Sequence, residues 1–325
     1  MYSEDDLASA IKAGVISEET AAAFRAHVAS TQVTPAVDEE YFRLVTGFND
    51  IFVVIACVLL LASVSGIGAV ASPWIGGLLE AVMAWILCEF FVKTRRMALP
   101  AIVLLLAFVG GASMVGVLLS KGPVLGGICG VIAAFMHWRR FKVPITVAAG
   151  AGALIAGLAS TLVAKKSVAE WVPLLLFIAG AITFLFALRW DASDRQRETR
   201  RSDVAFWLHL LAAPLLVHPV FVTLKPFHGE ANAAQALSVL LLYVVITMIS
   251  LISDRRALMV SALAYVLYAF SALLKDYGVV NLSFAITGLL IGSGLLLLSA
   301  FWNSSRGYLL RRLPEAWQRR MAPLR

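Results

Sequence analysis

Along this chain, long apolar stretches alternate with short polar interruptions, and the apolar runs show neither the period of a half-buried strand nor the narrow stripe of a surface helix. About 20 apolar residues are needed to cross roughly 30 Å of hydrocarbon as a helix. Stretches of that kind lie at 48–71, 74–92, 99–119, 123–138, 144–164, 171–190, 204–224, 233–252, 257–274 and 282–302, the fourth being the shortest. Short connections make successive helices antiparallel neighbours. The pattern predicts an all-α polytopic membrane protein with a bundle of about ten transmembrane helices.

Composition supports that reading. Of 325 residues, 60% are hydrophobic and 14% charged, against roughly 45–50% and 25% in soluble globular domains. A water-soluble enzyme and a disordered chain are both excluded on these grounds. The basic residues then set the orientation, because Lys and Arg close to span ends are retained in the cytoplasm. The connections after spans two, four, six and eight hold thirteen: Lys93, Arg95, Arg96; Arg139, Arg140, Lys142; Arg189, Arg195, Arg197, Arg200, Arg201; Arg255 and Arg256. The alternate connections hold five: Lys121, Lys165, Lys166, Lys225 and Lys275. Both termini are therefore expected in the cytoplasm, and the protein in the inner (plasma) membrane. The acidic start MYSEDDLASA is not expected to act as a cleavable signal.

Three parts follow. Residues 1–37 form an acidic cytoplasmic helical hairpin and linker, 38–303 the ten-span bundle, and 304–325 a basic cytoplasmic tail. Through residue 47 the chain carries eight acidic and three basic residues. Ser3 is expected to cap a first short helix that Gly14 ends, and Ser17 to start a second reaching about Ala29. Residues 31–37 then read as a linker and Asp38 as a cap. The hairpin's negative charge disfavours nucleic acid as a partner. It suits a solvated cap, or docking against a protein partner or another copy of the chain. The Arg-rich tail, with Leu309, Leu310, Leu313 and Trp317, suits a helix lying on an anionic inner leaflet. The bilayer itself, with anionic lipids at the basic loops and tail, is thus the first expected partner.

Ionisable groups inside the hydrocarbon are costly and normally face a partner or a cavity. Span two carries Glu80 and Glu89; span seven carries His209 and His218. At about 1.5 Å per residue, Glu80 and His218 come out at one depth and Glu89 and His209 at another. Depth therefore permits two acid–imidazole pairs as a candidate intramembrane site; the plainer reading has Glu80 hydrogen-bonded within the bundle, Glu89 reaching the inner interface near Lys93, and both histidines as packed core donors. Nine residues at about 100° each place the two members on each helix on opposite faces. Pro214 and Pro219 remove amide donors from span seven and predict a helix break there, the kind of irregularity transporters place beside their sites. Asp50 suits the start of span one, and Asp254 reads as a surface ion pair with Arg255 and Arg256. His228 and Glu230 lack the partners a metal needs. Cys57, Cys88 and Cys129 read as small buried residues, without disulfide or metal-ligand spacing.

Glycines cluster in spans three to five, and Gly126/Gly130 and Gly288/Gly292 have the spacing that permits close helix approach. No phosphate-cradling, metalloprotease or hydrolase motif occurs. Neither an enzyme activity nor a cofactor or metal is expected.

The segment LASAIKAGVISEETAAAFRAHV, with its Gly-x-Ile-Ser turn, together with CEFFVKTRRMALP and DRRALMVSALAYVLYAFSALL, resembles a bacterial family of multi-pass membrane proteins. That resemblance implies no activity, because none is established for the family. Ten spans with both ends inside also resemble the topology of drug/metabolite transporters, which implies two inverted five-span halves. Such halves would pair span two with span seven. Two readings stay open: a small-molecule or ion transporter, proton-coupled through Glu80, and a non-transporting scaffold or sensor whose hairpin binds a partner.

Overall fold

The computed structural model describes residues 4–31, 48–165, 168–194, 199–223, 233–276, 283–314 and 318, and among these every regular element is helical. The chain forms two compact units, Met1–Phe42 with Arg325, and Arg43–Leu324.

In the first unit, α1 (Glu4–Lys12) and α2 (Glu18–Thr31) form a hairpin. Gly14 ends α1 with φ +71, a left-handed conformation that glycine adopts without Cβ strain. The Ser17 hydroxyl accepts from the Thr20 amide at 3.1 Å and so caps α2. Leu7 and Ala21 are buried between the two helices. The Ser3 cap, most of the linker and Asp38 lie outside the described residues.

The second unit runs α3 (Phe48–Ala71), α4 (Pro73–Cys88), α5 (Ala98–Ser120), α6 (Pro123–Phe141), α7 (Ile145–Ala164), α8 (Val172–Ser193), α9 (Arg200–Thr223), α10 (Ala233–Ser253), α11 (Ala257–Asp276), α12 (Ser283–Ala300) and α13 (Trp302–Leu310). Each apolar stretch read from the sequence is thus helical over most of its length. Six helices are long and apolar enough to cross a membrane: Asn49–Ala71, Pro73–Thr94, Ala98–Ser120, Ile145–Ala164, Ala169–Ser193 and Arg200–Thr223. The second includes a wide π-turn over Glu89–Thr94. The other four are less complete by the same measure. α6 ends in the charged turn Arg139–Arg140. α10 and α11 contribute the shorter apolar stretches Leu237–Ser253 and Ala257–Leu267, and α12 qualifies only together with α13, across a 70° bend.

That bend departs from the expected straight span through Trp302. The Trp302 indole N–H donates to Asp254 Oδ1 at 2.9 Å, which turns the chain along the bundle instead of away from it. Trp302, Arg306 and Leu310 follow one another at i, i+4 and i+8, and all three are buried. The face of Leu310 expected on lipid is therefore packed on protein, while Tyr308 is exposed; Trp317 lies outside the described residues.

Large apolar side chains cover the outside of the long helices, including Val70 at 90% and Leu296 at 75% exposure. A soluble monomer does not present apolar surface on this scale, whereas a bilayer solvates it. α9 is the most deeply buried of the six long helices. It packs on α7, α8 and α11, whereas α4 packs on α3 and α5. The inner contacts of the two five-helix segments therefore differ, and they do not repeat the matched halves of the transporter resemblance.

Candidate functional site

The four sequence-predicted polar residues do not pair with one another. Glu89 lies at the end of α4, where its carboxylate takes a bidentate pair of bonds from Arg140, at 2.7 and 2.8 Å, with Lys93 at 3.7 Å. It is at the rim of the bundle, not opposite His209. Glu80, half-buried on α4, has no hydrogen bond or ion pair among the described residues. His218 is exposed and shares a hydrogen bond between Nδ1 and the Tyr265 hydroxyl on α11. Depth along a helix axis carries no information about direction around it, and the α4–α9 neighbourhood that both pairs required is not formed.

The expected break at Pro214 and Pro219 is also absent, because α9 continues through both. Pro219 frees the carbonyl of Leu215, and α8 presents Gly180 there: a Cβ on Gly180 would lie 2.9 Å from the Leu215 backbone carbon. The close approach of a neighbour supports the helix where its own hydrogen-bond ladder is interrupted.

His209 belongs to a different constellation. Its Nε2 lies 2.8 Å from Asp191 Oδ2, and since a carboxylate only accepts, the imidazole carries its proton on Nε2. Arg255 donates from Nη2 to Asp191 Oδ1 at 2.5 Å and from Nε to Oδ2 at 3.3 Å, and Nη2 reaches the Ser202 carbonyl at 3.4 Å. His209 and Arg255 are almost wholly buried. Three elements thus meet at one carboxylate or its immediate partners: α8 through Asp191, α9 through Ser202 and His209, and the turn between α10 and α11 through Arg255.

Asp254, expected on the surface beside Arg255, is 4% exposed and points the opposite way. Its φ of 56 puts it in the left-handed region, so consecutive side chains leave the turn in different directions. Asp254 receives the Trp302 indole and lies 3.6 Å from Arg306 Nε. The Ser250 hydroxyl donates to the Arg255 carbonyl at 2.5 Å and fastens the same turn. A buried carboxylate requires such compensation, because its removal from water costs several kcal/mol. Asp191–Arg255 and Asp254–Arg306 form a polar layer at one end of α8–α13. The sequence holds a signal for it: Asp191 and Arg255 each closely follow an apolar stretch, 171–190 and 233–252, two stretches apart, so that in an alternating bundle both fall at the same end. Neither residue lies within an apolar stretch, so the cost of charge in hydrocarbon does not mark them.

A second buried imidazole, His137 on α6, lies 3.6 Å from Cys88 Sγ through Nε2 and 3.3 Å from Thr146 Oγ1 through Nδ1. Trp85 and Phe141 ring it at centroid distances of 6.4 and 4.6 Å. It is fully enclosed, which makes it a packing element. Asp50 is buried in the first turn of α3. His228 and Glu230 lie outside the described residues. Among the described residues, no three His, Cys, Asp or Glu side chains converge to hold a metal.

A concavity lies elsewhere. A cleft of about 480 Å³ lies between α5, α7 and α9, walled by Leu106, Gly110, Ala149, Gly152, Trp207 and Leu211 among others. Its lining is almost entirely apolar, with Ser113 contributing the one hydroxyl. On α9, Trp207, Leu211 and Pro214 fall on one face, and Ser202 and His209 fall on the opposite one. The helix therefore has the cleft on one side and the polar layer on the other. Among protein families, curated proteins and solved structures nothing matches this chain, so no functional role is transferred to any of these residues.

Proposed function

We propose that this is a ten-span inner-membrane protein with cytoplasmic termini, acting as a non-enzymatic transporter for a small apolar or amphipathic molecule that enters sideways from the lipid. The observation that carries the reading is the cleft between α5, α7 and α9. About 480 Å³ falls within the range of small-molecule sites. Its apolar walls suit a hydrocarbon moiety, and helices from both five-span segments build it. The ten-span count is supported by the lengths of the remaining helices, 19 residues in α6, 21 in α10, 20 in α11 and 18 in α12, each near the requirement at 1.5 Å per residue. The alternation of basic connections supports the orientation. Under that orientation the cleft runs from the cytoplasmic end of α7 toward mid-membrane.

Proton coupling through Glu80 forms no part of this proposal, because Glu80 does not line the cleft. A second reading, a scaffold or sensor acting through its hairpin, is favoured by the separate compactness of Met1–Phe42.

The test is photolabelling of the protein in vesicles with a diazirine-bearing acyl probe. A Cβ at Gly110 would meet nothing within 4 Å, so Gly110→Leu fills the cleft without forcing helices apart. Labelling concentrated on the cleft and lost in Gly110→Leu is the expected result. Labelling spread over the outer surface and indifferent to the substitution overturns the proposal. If deletion of residues 1–37 abolishes the cellular phenotype while Gly110→Leu does not, the scaffold reading replaces it.

A further inference from the structure

A smaller cleft of about 170 Å³ lies at the other side of the polar layer, among α10, α11, α12 and α13. Its walls combine three kinds of group. Met259, Val260, Leu263 and Leu295 make an apolar trough. Arg256 lies at the turn end, with its guanidinium carbon 4.8 Å from the centre of the Trp302 ring. Tyr243 lines the interior, and its buried hydroxyl has no hydrogen-bond partner among the described residues.

A buried hydroxyl without a partner is destabilised by the loss of its water bonds, by about 1–3 kcal/mol. Sequences rarely keep such a group in an apolar wall unless something completes it. A tyrosine in this trough, with a cation stacked at the mouth, matches a ligand that has an anionic head, a polar group a short way in, and a hydrocarbon tail. We propose that this cleft binds one anionic glycerophospholipid. Its phosphate meets Arg256 over the Trp302 indole, an ester oxygen accepts from the Tyr243 hydroxyl, and the upper part of an acyl chain lies along Val260, Leu263 and Leu295. Charge complementarity selects the anionic lipid over a zwitterionic one. The site is separate from the α5/α7/α9 cleft and does not depend on its role.

The experiment measures the thermal unfolding midpoint of the full chain, delipidated in detergent, on adding phosphatidylglycerol, phosphatidylcholine or inorganic phosphate. Phosphatidylglycerol is expected to raise the midpoint, and the other two to leave it within error. Tyr243→Phe removes a hydroxyl that is unpaired without lipid, so the delipidated midpoint stays the same or rises while at least half of the phosphatidylglycerol shift is lost. Ser299→Phe fills the trough with Arg256 and Tyr243 intact, and it too should abolish the shift. Arg256→Gln should remove the preference for the anionic lipid. An equal response to phosphatidylcholine overturns the proposal. So does a shift produced by phosphate alone, which assigns the site to a free anion. A Tyr243→Phe chain that is destabilised without lipid yet keeps its full shift overturns it as well, since the hydroxyl is then structural.

Discussion

Where α6 meets α7, a Cβ on Gly157 would lie 2.9 Å from the Gly127 Cα and from the Pro123 carbonyl oxygen, so two backbones run in direct contact. Where α8 meets the α10–α11 turn, no such approach is made, and Arg255 reaches across to Asp191 at 2.5 Å instead. The contrast extends through both segments. In α3–α7, Gly77 sits against the Gly111 carbonyl and Gly116 against the Gly126 Cα. In α12, Gly288, Gly292 and Gly294 meet nothing within 4 Å, and buried charge joins the end of α8 to the α10–α11 turn. Lipid tails are as apolar as leucine, so helices in a bilayer must associate through close backbone packing or through polar bonds. This chain uses both devices, weighted differently: α3–α7 hold several close backbone approaches beside the Glu89–Arg140 pair, α8–α13 hold the buried charge layer beside the Gly180–Leu215 approach, and α9 has the cleft on one side and the layer on the other.

The largest break in that comparison is expected at the polar layer. Arg255→Met leaves Asp191 with His209 but without its cationic partner, and loss of one partner of a buried pair costs about 3–5 kcal/mol. Unfolding measured by thermal melting in detergent should show it. Adding Asp191→Leu to Arg255→Met should restore most of the loss, because no buried charge is then left behind. A double variant as damaged as the single one would mean that the pair's specific geometry, and not only its neutralisation, holds the end of the bundle.

At the glycine seams the expected effect is smaller. Gly157→Val forces α6 and α7 apart, at about 1–3 kcal/mol for an overpacked contact, whereas Gly288→Val should leave the melting midpoint unchanged. Equal sensitivity of the two positions would erase the distinction between the halves. Below this lies Cys88→Ala, which deprives His137 of one of its two polar neighbours. About 0.6 kcal/mol, the mean for interhelical hydrogen bonds in a membrane bundle, is the expected scale.

The order of these effects bears on what the sequence discloses. The apolar runs locate α3 to α12 because hydrocarbon thickness sets a length that composition alone can reveal, and Gly14 and Ser17 mark the hairpin through local backbone chemistry. Small-residue spacing also identifies the Gly126 seam. It cannot separate that seam from Gly288/Gly292, which has the same spacing and no neighbour. The Asp191–Arg255 bond joins residues 64 apart in the chain, and nothing local to either position encodes the azimuth that brings them together. Asp254 is missed for a related reason: a turn rich in charge reads as solvated, and only its positive φ and the 70° bend into α13 enclose it.

The smallest effect is expected at the residue the sequence makes most conspicuous. An intramembrane glutamate commands attention because charge in hydrocarbon is costly, yet Glu80 has no bonded partner among the described residues and no place in the wall of either cleft. Glu80→Gln should therefore leave both the melting midpoint and acyl-probe labelling of the α5/α7/α9 cleft unchanged, while Gly110→Leu removes the labelling. The opposite outcome, loss of labelling or transport in Glu80→Gln with the fold intact, would shift the working site from the α9 face to α4. It would also make the polar layer the scaffold's support and not a neighbour of the site.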